Sequence, residues 1–253
     1  MDNFRVSLIH LKIRNSVEGN LRAASKGIKK AAERNPAFIA LPEYFSVPDS
    51  MEKFTSAETI FQQTYRETIH FLCEVSKEFP RSYIVGGTFL EKDGGKFFNT
   101  STLWKNGALI GKYRKKNLIA IEIKAGVSMG NEPAVFKTDF CKVGLLVCAD
   151  MFDSAIIGQT KSLGAEIVFL PVAALGTHPS VKGHPLTEKI ASENGVFLIK
   201  VGNVHSSTRG GRSAVIAPWG IIDEVSDVPE DTVIVADLDM QRLSEYRKKL
   251  NKI

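Results

Sequence analysis

The stretch at residues 141–150, CKVGLLVCAD, decides the interpretation of this chain of 253 residues. Its apolar run is nearly continuous, which is typical of a strand buried on both faces of a sheet. Cys148, Ala149 and Asp150 follow the run directly. Rigid scaffolds usually present functional groups in the loops where strands end, so Cys148 is the first candidate for a functional side chain.

Two other strand-like stretches also lead to a single polar residue. Residues 37–41 are followed by Pro42 and Glu43, and residues 108–113 lead to Lys115. The ordinary pKa of a thiol is roughly 8.5, so a nucleophilic cysteine needs a base or a cation nearby. Glu43 could accept the thiol proton, and Lys115 could stabilise the anion that forms. Taken alone, each residue also fits an ordinary core, capping or surface role.

The rest of the chain alternates between helical and strand patterns, with no linker that would divide it. Predicted helices cover residues 15–34, 56–79, 154–163, 185–194 and 241–249. A first strand is predicted within residues 1–13, and further predicted strands cover residues 37–41, 82–90, 97–104, 108–113, 135–138, 141–147, 167–170, 196–201, 213–217 and 233–238. Residues 116–132 have weak periodicity and are predicted to form a long loop. The pattern predicts one α/β domain over residues 1–253, with sheets inside and helices outside.

The composition is that of an ordinary soluble protein, with 43% hydrophobic and 24% charged residues. No apolar run approaches the length of a membrane span, and the N-terminus lacks the pattern of a signal peptide. The three cysteines, Cys73, Cys141 and Cys148, fit neither a disulfide framework nor a metal site. We therefore expect no metal or cofactor, no membrane partner and a cytoplasmic location.

The net charge is +5, and the densest basic cluster is Lys112, Arg114, Lys115 and Lys116. A solvated basic surface explains such a charge. Clustered basic residues are also typical of nucleic-acid-binding modules, which leaves that function as an alternative. Because Lys115 is a candidate catalytic residue, we expect no nucleic-acid partner.

The three strand-end motifs together resemble the nitrilase superfamily of carbon–nitrogen hydrolases. Residues 41–43 (LPE) are similar to the first motif of the family, residues 111–115 (GKYRK) to the second, and residues 143–150 (VGLLVCAD) to the third. Weaker similarity continues through residues 193–203 and 211–220. The resemblance therefore extends over nearly the whole chain, from about Val6 to Leu238.

The resemblance implies an α/β fold of four layers, an α-β-β-α sandwich. It also implies a triad in which Glu43 is the base, Lys115 the cation and Cys148 the nucleophile. Glu122 lies where the family often has a second glutamate that orients the lysine, although an ordinary loop carboxylate is also possible there. The Lys115 ammonium and the backbone N–H of Ala149 would hold the oxyanion.

The implied reaction is hydrolysis of a non-peptide carbon–nitrogen bond of a small molecule through a thioester on Cys148. An amide is the expected substrate, and nitrilase or N-carbamoyl hydrolase activity with the same triad is the alternative. No cofactor is implied. Members of the family form dimers and larger assemblies, so the resemblance implies a homodimer or larger homo-oligomer.

Two positions depart from the pattern of the family. Asn117 occupies a position where many members have histidine. Phe152 occupies the position at which amidases of carboxylate-bearing substrates often have arginine. An acidic group on the substrate would then need another partner, and Arg209 and Arg212 are the candidates.

Two further alternatives stay open. A papain-like protease would need a histidine opposite Cys148, for which His178, His184 and His205 are available, but no local signature surrounds the cysteine. A non-catalytic member of the fold would bind a small molecule or a partner protein. The presence of all three triad residues argues against that second alternative.

Overall fold

The computed structural model describes residues 3–49, 56–173, 184–204, 212–225 and 230–252. Thirteen strands and six α-helices lie within these ranges. The strands are β1 (Phe4–Lys12), β2 (Phe38–Ala40), β3 (Tyr83–Asp93), β4 (Lys96–Lys105), β5 (Ala108–Arg114), β6 (Ala134–Lys137), β7 (Lys142–Leu145), β8 (Ile167–Pro171), β9 (Phe197–Val201), β10 (Asn203–Val204), β11 (Ala214–Ala217), β12 (Gly220–Glu224) and β13 (Thr232–Leu238). The helices are α1 (Val17–Ala32), α2 (Ala57–Glu78), α3 (Ala120–Ala125), α4 (Ser154–Ser162), α5 (Pro185–Asn194) and α6 (Met240–Leu250).

The strands form two sheets. The first has seven strands in the order β10-β1-β2-β3-β4-β5, with β13 also paired to β1. The second has six strands in the order β12-β11-β9-β8-β7-β6. Parallel pairing of β1 with β2 confirms the predicted β-α-β unit at the N-terminus.

Apolar side chains fill the space between the two sheets and the space between each sheet and its helices. Val6, Phe38 and Val85 of the first sheet share one buried cluster with Val143 and Phe169 of the second. The rings of Phe38 and Phe169 lie with their centroids 5.5 Å apart across the two sheets. A separate cluster packs α1 and α2 onto the outer face of the first sheet. This arrangement confirms the predicted α-β-β-α sandwich.

The first two helices begin where serine caps them. Ser16 accepts a hydrogen bond from the N–H of Gly19 at the start of α1, and Ser56 accepts one from Thr59 at the start of α2. Each bond satisfies a backbone donor that has no partner within the helix. The predicted helix at residues 15–34 therefore has the expected cap and ends two residues early.

The prediction of a loop over residues 116–132 is wrong in its middle part, because α3 lies there. This helix has only six residues, too few for an apolar stripe to appear in the sequence. It ends at Gly126, whose φ of +90° lies in the left-handed region that glycine adopts without strain. Glu122 is consequently a helical residue, and its carboxylate accepts the N–H of Ile119 at 3.0 Å.

His10 joins the two sheets and makes the stability of the fold depend on pH. It is buried on β1, and its Nδ1 lies 2.8 Å from Ser213 Oγ, just before β11. Burial lowers the pKa of His10 from 6.5 to about 4, against the smaller opposing effects of Asp231 and the Gly202 backbone. The neutral ring therefore stabilises the fold above pH 6.5, and this contribution is lost as the pH falls from 6.5 towards 4.

We expect His10→Gln, which cannot titrate, to have a flatter dependence of stability on pH. Between pH 7 and pH 4.5 the wild type should lose about 2 kcal/mol more of its free energy of unfolding than the variant. Urea unfolding at the two pH values measures this difference. Equal losses in the two proteins would contradict the role assigned to His10.

No helix in the described part of the chain is long and apolar enough to cross a membrane.

Candidate active site

The two sheets bring the three predicted strand ends together. Glu43 follows β2 and Lys115 follows β5 in the first sheet, whereas Cys148 follows β7 in the second. Glu43 and Lys115 are each 1% exposed, and Cys148 is 8% exposed. Buried ionisable groups persist only where charges and hydrogen bonds compensate their loss of water, so their partners define the site.

Lys115 lies between two carboxylates. Its Nζ donates to Glu43 Oε1 at 2.9 Å and to Glu122 Oε2 at 2.8 Å. The structure therefore places Glu122 beside the lysine, where the resemblance put it. Glu122 is fully buried, which rules out an ordinary loop carboxylate on the surface.

The carboxylate of Glu122 has no acceptor position left for a proton. An ionised carboxylate offers about four acceptor positions. Oε1 of Glu122 accepts from Tyr44 Oη and from Asn99 Nδ2, both at 2.8 Å. Oε2 accepts from Lys115 and from the N–H of Ile119. Glu122 is thus held as a fully hydrogen-bonded anion.

The described residues leave one acceptor position of Glu43 open. Oε1 accepts from Lys115 and from Asn99 Nδ2, the latter at 2.8 Å. Oε2 accepts from the N–H of Ala173, just beyond β8, at 2.7 Å. Three of about four positions are therefore filled. Glu43 is the carboxylate of the pair that can take up a proton.

The pKa values of the two glutamates shift in opposite directions. Burial, reinforced by the charge of Glu122, raises the pKa of Glu43 although Lys115 opposes the shift. Burial would also raise the pKa of Glu122, but Lys115 and the hydrogen bonds to this carboxylate lower it overall. Burial alone would lower the pKa of Lys115, yet Glu43, Cys148 and Glu122 raise it well above its ordinary value. Opposite shifts of this kind separate a proton acceptor from a permanent charge.

The surroundings of Cys148 favour its neutral thiol form. Burial and the nearby charge of Glu43 raise its pKa, although Lys115 and a backbone hydrogen bond from Ala173 favour the thiolate. Its backbone φ is +44°, a left-handed conformation that costs roughly 1–2 kcal/mol for a residue with a Cβ. Strained residues of this kind occur at functional sites, where the surrounding structure holds them.

Ala149 is the second residue of a short 3-10 helix, Cys148–Phe152. The first N–H groups of a helix have no partner within it, so they are available to a ligand. The predicted oxyanion donor therefore lies at the start of a helix, next to the thiol.

The chain matches the model of the carbon–nitrogen hydrolase family over residues 5–248. It belongs to that family. The omega-amidase NIT2-B of Xenopus laevis is 31% identical over 264 residues, with 99% of this chain and 94% of the relative covered. The human omega-amidase NIT2 is 28% identical with the same coverage. These matches confirm the resemblance found in the sequence motifs.

Solved structures show the same fold. Saccharomyces cerevisiae Nit3, described as a member of branch 10 of the nitrilase superfamily, superimposes with a TM-score of 0.81 at 24% identity, covering 97% of this chain and 94% of that one. An amidase variant from Nesterenkonia sp. AN1, in which acrylamide has added to the active site cysteine, gives 0.79 at 23% identity, covering 98% of both chains. The chain is therefore an enzyme of the carbon–nitrogen hydrolase family with the fold of the nitrilase superfamily.

The basic cluster of this carbon–nitrogen hydrolase is divided among carboxylates. Lys112 and Arg114 both pair with Glu91, and Arg114 also pairs with Asp93. Lys116 Nζ lies 3.5 Å from Asp153 Oδ2, and Lys115 is buried. These carboxylates offset part of the positive charge of the cluster.

The histidines considered for a papain-like protease do not form a described pair with Cys148. His178 and His205 lie outside the described residues. His184 precedes α5, with its Nε2 3.1 Å from Glu224 Oε2 on β12. Burial, together with Lys200 and Arg212, lowers the pKa of His184 to about 4. In the described residues, the charges that act on the pKa of the Cys148 thiol are those of Glu43, Lys115 and Glu122.

A second buried lysine near Cys148 was not predicted from the sequence. Lys200 lies on β9 and has no exposed surface. Burial lowers its pKa to about 8, while the negative charge of Cys148, when ionised, acts to raise it and the charge of Arg212 to lower it. Among the candidates for an acidic substrate group, Arg212 thus lies near Lys200, and Arg209 lies outside the described residues. Phe152, at the position often occupied by arginine, is 51% exposed.

The residues described contain no group of three or more histidine, cysteine or acidic side chains placed to hold a metal ion.

Proposed function

We propose that this carbon–nitrogen hydrolase is an amidase of small molecules, with Cys148 as nucleophile, Glu43 as general base and Lys115 as the cation of the oxyanion site. The observation that carries the proposal is the unequal pair of carboxylates on Lys115. Glu43 has a raised pKa and, among the described residues, an open acceptor position, whereas Glu122 is fully hydrogen-bonded. The omega-amidases and amidases among its relatives support an amide as the substrate.

In the acylation step, Glu43 takes the thiol proton as Cys148 Sγ attacks the amide carbon. The carbonyl oxygen becomes an anion, which the Lys115 ammonium and the N–H of Ala149 stabilise. One such donor typically contributes about 3–4 kcal/mol to lowering the barrier. Glu43 then gives its proton to the departing nitrogen. Ammonia leaves a primary amide, and a thioester remains on Cys148.

In the deacylation step, water replaces ammonia. Glu43 takes a proton from the water as its oxygen attacks the thioester carbon, and the same donors stabilise the second oxyanion. The carbon–sulfur bond then breaks, the acid is released, and the proton returns to Cys148. Glu122 remains ionised throughout and keeps Lys115 charged and in place. The sum is one amide and one water converted to one acid and one ammonia.

The test is ammonia release from a panel of small primary amides, nitriles and N-carbamoyl compounds. We expect release from amides by the wild type and none by Cys148→Ala. Cys141→Ala is the matched control, because Cys141 is another buried thiol, whose pKa burial raises to about 12. Release by Cys148→Ala equal to that by wild type would contradict the role of Cys148. Release from nitriles or carbamoyl compounds alone would replace the amidase assignment.

Three further properties belong to the same proposal. Residues 1–253 form one hydrolase domain, since the family match covers nearly all of them. The enzyme works in a reducing cytoplasm, because Cys73, Cys141 and Cys148 are all free. It assembles as a homodimer or larger homo-oligomer. Sedimentation that shows only monomer at micromolar concentration would overturn the last of these.

A further inference from the structure

The carboxylate of Asp150 is buried and has no role in the proposed reaction. We call this carboxylate and its hydrogen-bond partners the Asp150 junction. Asp150 lies two residues after Cys148 and has no exposed surface. Its Oδ1 accepts from Asn117 N at 2.8 Å and from Asn117 Nδ2 at 3.2 Å. Its Oδ2 accepts from Tyr113 Oη and from Val147 N, both at 2.9 Å. All of about four acceptor positions are therefore filled.

These partners lie on both sides of Lys115. Tyr113 comes two residues before the lysine, at the end of β5, and Asn117 comes two residues after it. Both belong to the segment that leaves the first sheet, whereas Asp150 belongs to the turn that follows β7 in the second. One carboxylate thus ties the chain on both sides of Lys115, through the Tyr113 hydroxyl and through the N–H groups of Asn117, to the turn that carries Cys148.

The same carboxylate closes that turn. Val147 N donates to Asp150 Oδ2, and Asp150 N donates to Val147 O at 3.0 Å. Cys148 lies inside this loop of two hydrogen bonds, with the positive φ that residues other than glycine rarely adopt. Asn117 Nδ2 adds a bond of 3.1 Å to Asp153 Oδ2, at the start of α4. One side chain therefore contacts both the turn that contains the nucleophile and the segment that contains the lysine.

We propose that Asp150 is a positioning residue for this enzyme, acting through Tyr113 and Asn117 to fix Lys115 Nζ relative to Cys148 Sγ. The inference rests on the proposed function, in which Lys115 stabilises the oxyanion that forms when the thiol attacks. This stabilisation matters in the transition state more than in the bound substrate. Loss of the junction therefore lowers kcat and leaves KM nearly unchanged.

The test compares Tyr113→Phe with Tyr83→Phe. The Tyr83 hydroxyl also donates to an aspartate, Asp139 Oδ2 at 3.0 Å, but it lies away from the site, near the start of β3. We expect Tyr113→Phe to lower kcat about 10- to 100-fold with KM within about twofold, because misplacement of about 1 Å has effects of that size. Tyr83→Phe should keep the wild-type kcat. Thermal unfolding of both variants measures any loss of folded protein.

Asn117→Ala tests the other side of the junction. Each single variant should lower kcat, and the double variant Tyr113→Phe/Asn117→Ala should lose less than the product of the two effects, because both act through one carboxylate. Unchanged kcat in Tyr113→Phe, or a decrease no larger than the decrease in folded protein, would overturn the inference. The inference would also be overturned if the decrease in kcat of the double variant equalled the product of the two single decreases.

Alkylation of Cys148 by iodoacetamide separates this inference from the proposed function, since it requires no substrate. Mass spectrometry gives the rate at Cys148 in each protein. If the wild type is alkylated but hydrolyses no amide, the proposed function fails. Slower alkylation in Tyr113→Phe than in Tyr83→Phe would then still support the junction, and equal rates would overturn it.

Discussion

Replacement of Glu43 by glutamine should lower kcat for amide hydrolysis by about 10³-fold, since general-base catalysis contributes effects of this order. Glutamine has nearly the same shape and can still accept from Lys115 and Asn99 at one end. Its other end carries N–H donors that face the N–H of Ala173 and cannot take a proton from Cys148. The thiol, whose pKa is already raised, then has no base.

The pH dependence of the wild type gives an independent measurement of the same role. Because the pKa of Glu43 is raised, kcat/KM should fall on acidification at a pH above the ordinary glutamate value of about 4.3. Glu91→Gln is the matched control. Glu91 lies on strand β3 and is another paired glutamate, which forms ion pairs with Lys112 and Arg114. Loss of activity in both variants to the same degree, or kcat of Glu43→Gln within about tenfold of wild type, would contradict the assignment.

Replacement of Lys115 by methionine should cost both activity and stability. Loss of the ammonium removes one of two oxyanion donors, for which we expect kcat to fall by about 10²- to 10³-fold. It also leaves Glu43 and Glu122 buried together, with Asn99 donating to both of them. Breaking a buried ion pair in this way typically destabilises a protein by about 3–5 kcal/mol.

The stability defect of Lys115→Met should shrink as the pH falls. Without the lysine, burial and mutual repulsion raise the pKa of one carboxylate in the folded protein above its value in the unfolded chain. Protonation of that carboxylate then favours the folded state at low pH, and the benefit is lost as the pH rises through the raised value. Thermal unfolding from pH 5 to pH 8 measures the effect. Lys112→Met, from the same basic cluster but half-exposed, is the control. A defect in Lys115→Met that does not change with pH would contradict this explanation.

The sequence patterns alone predicted one α/β domain and its three strand ends, and the resemblance of the motifs at those ends implied the family and the two-sheet sandwich. Each strand end depends on a local pattern: an apolar run, turn residues that bound it, and one polar residue that follows it. Glu43, Lys115 and Cys148 were predicted as candidates in this way, and Glu122 through the resemblance. The predicted order of helices and strands agrees with the structure, because the residues that favour each element also form its buried apolar face.

The groups that surround the site, and their effects on its charges, became visible only in the folded protein. Asn99 and Tyr44 come from separate elements, and their bonds to Glu122 carry no local signature in the sequence. The same holds for the N–H of Ala173 on Glu43, a contact between residues 130 positions apart. Glu43 and Glu122 therefore have opposite pKa shifts, which a sequence pattern does not predict.

The bounds of short elements also depend on contacts that form only in the folded chain. Helix α3 has six residues, and its bounds depend on the Glu122 side chain and on Gly126 more than on periodicity. Strand β12 was not predicted, because Ile221 and Ile222 are both exposed and only pairing with β11 makes the segment a strand. Apolar periodicity reports which face of an element is buried. The partners of polar groups are set by contacts between distant segments, and these exist only once the chain has folded.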